Sequence, residues 1–570
     1  MPLRSIVSRL AVKGTPEPLT RVLTDVALVA YTTLVVYPLI ATIGLPSYEK
    51  GVFHTATIGY YMSTVRLIQE DGLITGAWCG FSDLLRFYPP LSLVGMYAVS
   101  LTVGNLLQGA MISFYFAIVF LVLSFHRFAL AVTGSRTVAF LAALLLPVLP
   151  RYVEVTAIYW EYTRIAGEAV SYYALYRLVL ALRMGSARDF ALAGALYGLV
   201  LLTSLIAFIE ATLLAIATVA YSLRARYKEG SPPGVFAYLG SALSLYALSF
   251  AAVAAWWLVP AVAPFGVSGY LRVETPLEDR LLALAGLFLE PGDALYAVGG
   301  SLSLIAITIR PGAGRLLVIY ALLLVSLVVL TSRGARFLPT LEAMLALSML
   351  YAVLALHPGA RYGRYRLLAR PLLAAGIAVA YALTAWNGIA VYRDMLALDY
   401  TFQSSDEYKL SVMLAGLGGD YRAYIMYGPR LHGNQWVNLF NPSIKQVLSG
   451  FMEGCMLGDY QKLDSLVKNT LDTARVKLLL DRTCTAVMVV DREFYESKRN
   501  VVRLLVEEGY LVEDKAMNQY LDYSLVFWRA ELPDCVVGGP PGYLTPAKLL
   551  GLAISAVAAI MALSKLRRLD

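Results

Sequence analysis

The chain has 570 residues, of which 58% are hydrophobic and 15% charged, and its mean hydropathy is +0.64. A soluble domain carries roughly 25% charged residues, so this composition excludes a string of soluble domains and describes an integral membrane protein. The net charge is 47 Lys+Arg less 39 Asp+Glu, or +8; the basic residues lie in short clusters between apolar runs, as membrane orientation requires, and form no stripe suited to nucleic acid.

The first apolar run, residues 22–45, follows Arg4, Arg9, Lys13 and Arg21. It is too long for the core of a signal peptide and leads into Pro46, Ser47 and Tyr48 with no small-residue cleavage site, so it reads as a retained helix. Further runs at 110–125, 138–149, 165–182, 190–205, 207–223, 235–259, 293–309, 316–330, 337–356, 371–391 and 543–563 bring the total to about 12 crossings. Threaded by the Lys/Arg excess of cytoplasmic loops, they put both termini and all seven basic clusters inside. Residues 91–106 and 281–289 are short or interrupted. They read as two partly inserted helices, because two more full crossings would turn three basic clusters outward.

Two outward segments are long. Residues 46–90 form a first extracytoplasmic loop with a helix-period stretch at 54–69, a Gly-rich turn region and a Tyr88-Pro89-Pro90 stop. Across 394–541 polarity returns. There, strand-like runs at 424–427, 486–490 and 523–528 alternate with helix-period stretches at 463–480 and 498–508, the pattern of an α/β domain outside the membrane. The expected organisation is therefore an α-helical polytopic membrane domain (1–393), an extracytoplasmic α/β domain (394–541), and a last transmembrane helix with a basic cytoplasmic tail (542–570).

This topology puts Cys79, Cys455, Cys484 and Cys535 outside, where they form disulfides in any of three pairings or stay as buried thiols. His54, His126, His357 and His432 are scattered and no CxxC pair occurs, which argues against a zinc site of ordinary spacing. No Walker A sequence and no GxGxxG with its acidic partner is present, so nucleotide-driven pumping and a nucleotide cofactor have no support.

Ionisable groups near lipid cost free energy and persist at sites and interfaces. The first loop carries Glu49, His54, Arg66, Asp71, Asp83 and Arg86, and the next outward turn carries Arg151, Glu154, Glu161, Arg164 and Glu168. Glu161 with Arg164, and Arg164 with Glu168, stand at helical i,i+3 and i,i+4 spacing, where they also pair with each other. Asp71-Gly72 also reads as a turn, Asp83 as a cap for 84–87, and Trp256-Trp257 as interfacial anchors.

The run from His54 through Arg66, Gly72, Gly76, Trp78, Gly80 and Tyr88-Pro89-Pro90-Leu91 resembles the first extracytoplasmic loop of GT-C-type integral membrane glycosyltransferases. It resembles in particular the prokaryotic group labelled 6-pyruvoyl-tetrahydropterin-synthase-related membrane proteins. Trp256-Trp257-Leu258-Val259-Pro260 and Arg336-Phe337-Leu338-Pro339 resemble the same group. The resemblance implies a prokaryotic plasma-membrane enzyme that binds a polyprenyl-phosphate-linked sugar donor among its helices. The sugar would pass at the outer face to a glycan, lipid or protein acceptor, with an acidic first-loop residue as base or holding a divalent metal. Such families place an Asp shortly before the His; here Glu49 stands nearest that position. Pterin chemistry is excluded, since it needs three histidines around zinc and only His54 and His432 share the outer side.

An acceptor hydroxyl needs a base within hydrogen-bond reach, and a departing lipid phosphate needs cationic stabilisation. Glu49, Asp71, Asp83, Glu154 and Glu161 are the candidate catalytic carboxylates; Arg164 and Arg336 are candidates for the phosphate, because a guanidinium binds it bidentately. His54 and His432, the latter in the loop Gly428-Pro429-Arg430-Leu431-His432-Gly433-Asn434, are candidate substrate contacts. Two other readings stand beside this one: a secondary transporter, for which Glu210 and Glu342 are the main midspan charges, and a non-catalytic scaffold with an outward binding domain.

Overall fold

The computed structural model describes residues 18–41, 56–75, 77–79, 82–84, 89–230, 232–262, 276–309, 315–331, 334–354, 379, 381–394, 402–426, 428, 431–448, 458–497, 499–532, 534–535 and 544–569. Its apolar helices are α1 (Pro18–Ala41), α2 of the first loop (Ala56–Asp71), α3 (Pro90–Val103), α4 (Leu106–Thr133), α5 (Arg136–Leu145), α6 (Pro150–Val153) and α7 (Tyr162–Met184). They continue with α8 (Ala187–Thr203), α9 (Leu205–Lys228), α10 (Pro233–Val262), α11 (Leu277–Leu289), α12 (Pro291–Ile309), α13 (Arg315–Leu330) and α14 (Leu338–Leu354). Seven helices among the described residues are long and apolar enough to cross a membrane, and nine if each of two bent pairs is one span.

Local sequence explains the joints. Gly134 and Gly185 end α4 and α7 in the left-handed region, at φ 69° and 67°, where a Cβ is disfavoured. The next residues, Ser135 and Ser186, cap α5 and α8 by accepting the N–H of Val138 and Asp189. Each helix thus folds back on its predecessor within two residues. Where prolines replace this device, the path bends instead. It turns by 46° at Pro147 and Pro150, and by 91° between α11 and α12 at Pro291.

The runs expected to be partly inserted become α3, with 14 residues, and α11, with 13. At 1.5 Å per residue each is about 20 Å long, short of a hydrocarbon core of about 30 Å. Of the run 371–391, residues 379 and 381–391 are described and are helical, while 371–378 and 380 lie outside the described residues. The remaining runs of the sequence reading each coincide with a helix.

The sheet-containing domain holds α15 (Asp406–Met413), β3 (Arg422–Ile425), α16 (Gly433–Phe440), α17 (Gly458–Asn469), α18 (Thr473–Arg482), β4 (Thr485–Asp491), α19 (Arg492–Ser497), α20 (Val501–Glu507), β5 (Leu511–Glu513), α21 (Lys515–Asn518) and β6 (Ser524–Arg529), before α22 (Leu544–Leu569). The sheet order is β3-β4-β6-β5, with β3 parallel to β4 and the other pairs antiparallel. All seven residues of β4 are buried, which is why this central strand reads as a continuous apolar run and not an alternation. The helix-period stretch 463–480 is two helices, because Asp472 caps α18 by accepting the Arg475 N–H at 3.0 Å. β5, three residues on the sheet edge, gave no period to detect.

Two features of the first loop were not anticipated. A small antiparallel ribbon pairs Ile74–Thr75 (β1) with Ser82–Asp83 (β2), and most of the run 84–87 that Asp83 would cap lies outside the described residues. Beyond it, Trp78 bridges to Gln446, which in turn bridges to Ala423 of β3, so the loop extends the edge of the domain's sheet. Asp71-Gly72 is a turn, with Gly72 at φ 82° and the Asp71 carboxylate accepting the Thr75 hydroxyl. Cys79 is disulfide-bonded, whereas Cys484 and Cys535 carry free thiols.

Candidate active site

Two arginine-centred clusters form where α6, α7, α9, the α11–α12 bend and α14 converge. In the first, Arg164 on the opening turn of α7 meets Glu168 at 2.8 Å, Glu161 at 3.5 Å and Glu210 of α9 at 3.9 Å. Its remaining Nη2 donates to the carbonyl oxygen of Arg336. Glu168 also accepts the Tyr152 hydroxyl at 2.6 Å, and Tyr152 lies 3.1 Å from the Tyr172 hydroxyl. In the second cluster Arg151 meets Asp293 at 2.7 Å, Glu290 at 2.8 Å and Glu154 at 3.0 Å, while its backbone N–H donates to Glu342 at 3.0 Å.

The connection between the clusters is irregular. Residues Glu154–Ile158 form a π-helical turn and Trp160 follows at φ 51°, a left-handed conformation that costs an aromatic residue. Trp160 is buried and its ring stacks on Phe114 at 5.4 Å. Such conformations gather at functional sites, where surrounding packing holds them in place.

Of the sequence candidates, Glu161 and Arg164 come together and Glu154 joins the neighbouring cluster. Arg164 is buried with its donors directed at three carboxylates and a carbonyl, so it acts as the centre of the cluster and presents no open bidentate face. Arg336, in the turn Gly334–Phe337, is exposed and beside it. Glu49 and His54 lie outside the described residues.

Glu210 and Glu342, read from sequence as midspan charges, instead stand in the second turn of α9 and α14, joined to the arginines. Sequence reasoning missed Glu290 and Asp293 as site residues; the acidic Glu290-Pro291-Gly292-Asp293 break in an apolar run was the available signal. Among the described residues, no group of three or more His, Cys, Asp or Glu is placed to hold a metal ion.

His432 is not on a surface loop. It is buried at the start of α16, and its backbone N–H donates to Glu407 at 2.9 Å. Glu407 also accepts the Tyr523 hydroxyl, and the neighbouring Asp406 accepts the N–H groups of Asp522 and Tyr523 at 2.9 Å each. Burial pushes both carboxyls above the ordinary carboxylate range. A folded pKa above the unfolded one means stability that is complete below about pH 4.3 and lost as pH rises through the folded value. The melting temperature of the detergent-solubilised protein is expected to fall over that window. Glu407→Gln keeps one acceptor oxygen, enough for His432 or Tyr523 but not both, removes the titrating carboxyl and should flatten the fall; a steeper fall in the variant would contradict the burial argument.

No protein-family model matches the chain, and no curated protein does. Solved structures do. The Archaeoglobus fulgidus oligosaccharyltransferase, tethered to an acceptor peptide, aligns with a TM-score of 0.57 at 13% identity, covering 84% of this chain and 70% of that one. ArnT from Cupriavidus metallidurans aligns with a TM-score of 0.56 at 14% identity over 90% of this chain and 99% of its own. The mycobacterial arabinofuranosyltransferase AftD aligns with a TM-score of 0.56 at 15% identity over 92% of this chain and 40% of its own. At such identities the likeness speaks to architecture alone: the chain shares the multi-helix fold of these proteins.

Proposed function

We propose that the chain is a membrane glycosyltransferase that moves a sugar from a polyprenyl-phosphate-linked donor to a glycan, lipid or protein acceptor at the outer membrane face. The observation that carries this is the fold, shared with transferases whose solved complexes include ArnT bound to undecaprenyl phosphate and the archaeal oligosaccharyltransferase bound to a dolichol-phosphate. The arginine–carboxylate clusters beside the first loop supply the polar lining that such a reaction needs within an apolar helix bundle. The kinship with the prokaryotic group named from the loop motifs belongs to the same reading. So do the topology of about 12 crossings with both termini cytoplasmic and residues 394–541 outside, and a plasma-membrane location. Placing Glu210 and Glu342 in the arginine clusters takes away the midspan charges that favoured a transporter.

Mass spectrometry of lipids copurified in mild detergent tests the reading, with a polyprenyl phosphate expected. Bulk lipids alone, together with no binding of added undecaprenyl phosphate, would move the reading to a scaffold. In the same assay Arg336→Ala is expected to weaken undecaprenyl phosphate binding about tenfold, the size of one charge-assisted hydrogen bond. Unchanged affinity would remove Arg336 from the donor site.

A further inference from the structure

The first loop is held between two parts of the molecule. On one side, α2 lies along α16, and Gly59 faces the Trp436 ring where no Cβ fits. The Ser63 hydroxyl donates to the Gln435 carbonyl at 2.5 Å. Further on, Gln446 N–H donates to the Ala77 carbonyl at 2.6 Å, and Cys79 N–H donates to the Gln446 carbonyl at 3.1 Å. Between these two, the Trp78 indole N–H donates to Asn438 Oδ1 at 2.7 Å. Trp78, Asn438 and Gln446 are all buried, and Asn438 is itself fixed by its donation to the Ile444 carbonyl at 2.8 Å.

On the other side, the loop rests on the helix start that carries Arg164. Trp78 stacks on Tyr60 at 5.8 Å, and the adjacent Tyr61 hydroxyl lies 2.8 Å from that of Thr163. Tyr61 also meets the Tyr162 ring edge-on at 6.1 Å. A chain of buried contacts therefore runs from the domain's sheet edge, through Trp78, to the residue preceding Arg164.

We infer that Trp78 is a positioning residue: by hydrogen-bonding Asn438 it lets the outward domain hold the first loop against the arginine cluster, and the rate of sugar transfer depends on that hold. The inference rests on the transferase reading above. Its physical basis is that a reacting group must sit within a fraction of an ångström of its partner, and a loop anchored at one edge only samples a wider range of positions.

Trp78→Phe tests it in the full-length protein, because phenylalanine keeps an aromatic ring beside Tyr60 and removes the N–H donor, along with part of the buried ring volume. Asn438 Oδ1 then still accepts from Gln446, so the domain keeps its own network. Three readouts are needed. These are hydrogen exchange at the Cys79 and Gln446 amides, turnover of lipid-linked sugars extracted from host membranes, and equilibrium binding of undecaprenyl phosphate.

The expected result is faster exchange at both amides and kcat lower by about tenfold to a hundredfold. KM should stay within about twofold, with undecaprenyl phosphate affinity unchanged and only a modest fall in melting temperature from the lost ring volume. Ser63→Ala, which removes the other side-chain tie named above, should give a smaller fall, and the double variant should depart from additivity. Unchanged kcat despite faster exchange would overturn the inference, as would a lowered melting temperature with unchanged kcat, which marks a purely structural contact. A wild-type protein that neither binds undecaprenyl phosphate nor turns over lipid-linked sugars would defeat the transferase reading first, and the inference with it.

Discussion

Arg164→Ala is expected to lose most of the correctly assembled protein, with a destabilisation of about 3–5 kcal/mol. Arg164 is buried, and its removal leaves Glu161, Glu168 and Glu210 close together without their shared cation. It also frees the Arg336 carbonyl that ties the start of α14 to α7. The comparison that isolates the charge is Arg164→Lys, which keeps a cation but not the planar fork able to reach three partners, and should fall between the two. Monodisperse yield and melting temperature in detergent measure the effect. An Arg164→Ala protein that melts within about 1 °C of the parent would show that the cluster contributes little to assembly.

Glu49→Gln is expected to lower the rate of sugar transfer by about 10²–10⁴-fold, the usual contribution of a positioned general base, while yield and melting temperature stay as they were. Glu49 stands nearest the position that the resemblance gives to the acidic residue, and other candidates already have partners. Asp71 accepts the Thr75 hydroxyl, Glu154 is paired with Arg151, and Glu161 with Arg164. A carboxylate whose oxygens already accept from a guanidinium is not placed to take a proton from an acceptor hydroxyl. Turnover of extracted lipid-linked sugars reads the result; full activity in Glu49→Gln would transfer the role to Asp83 or to one of the paired carboxylates. Combined with Trp78→Phe, the variant also separates the reacting group from the hold that places it.

Composition and the lengths of apolar runs were enough to establish the membrane class, the positions of most helices and the return to an α/β pattern after residue 394. Those properties follow from hydrophobic burial and helical period, which act over neighbouring residues and leave their mark in any window of the chain. The same local logic found Glu161, Arg164 and Glu168, because an i,i+4 pair is a sequence feature as much as a structural one. Only the tertiary structure brought Glu210 to Arg164 and Glu342 to Arg151, across 191 positions in the second case. It alone buried His432, divided the stretch 463–480 into two helices and laid Trp78 against the sheet edge. Contacts of that kind depend on which helices and strands become neighbours, and an apolar run looks the same whichever partner it packs against, so no local pattern of residues encodes them.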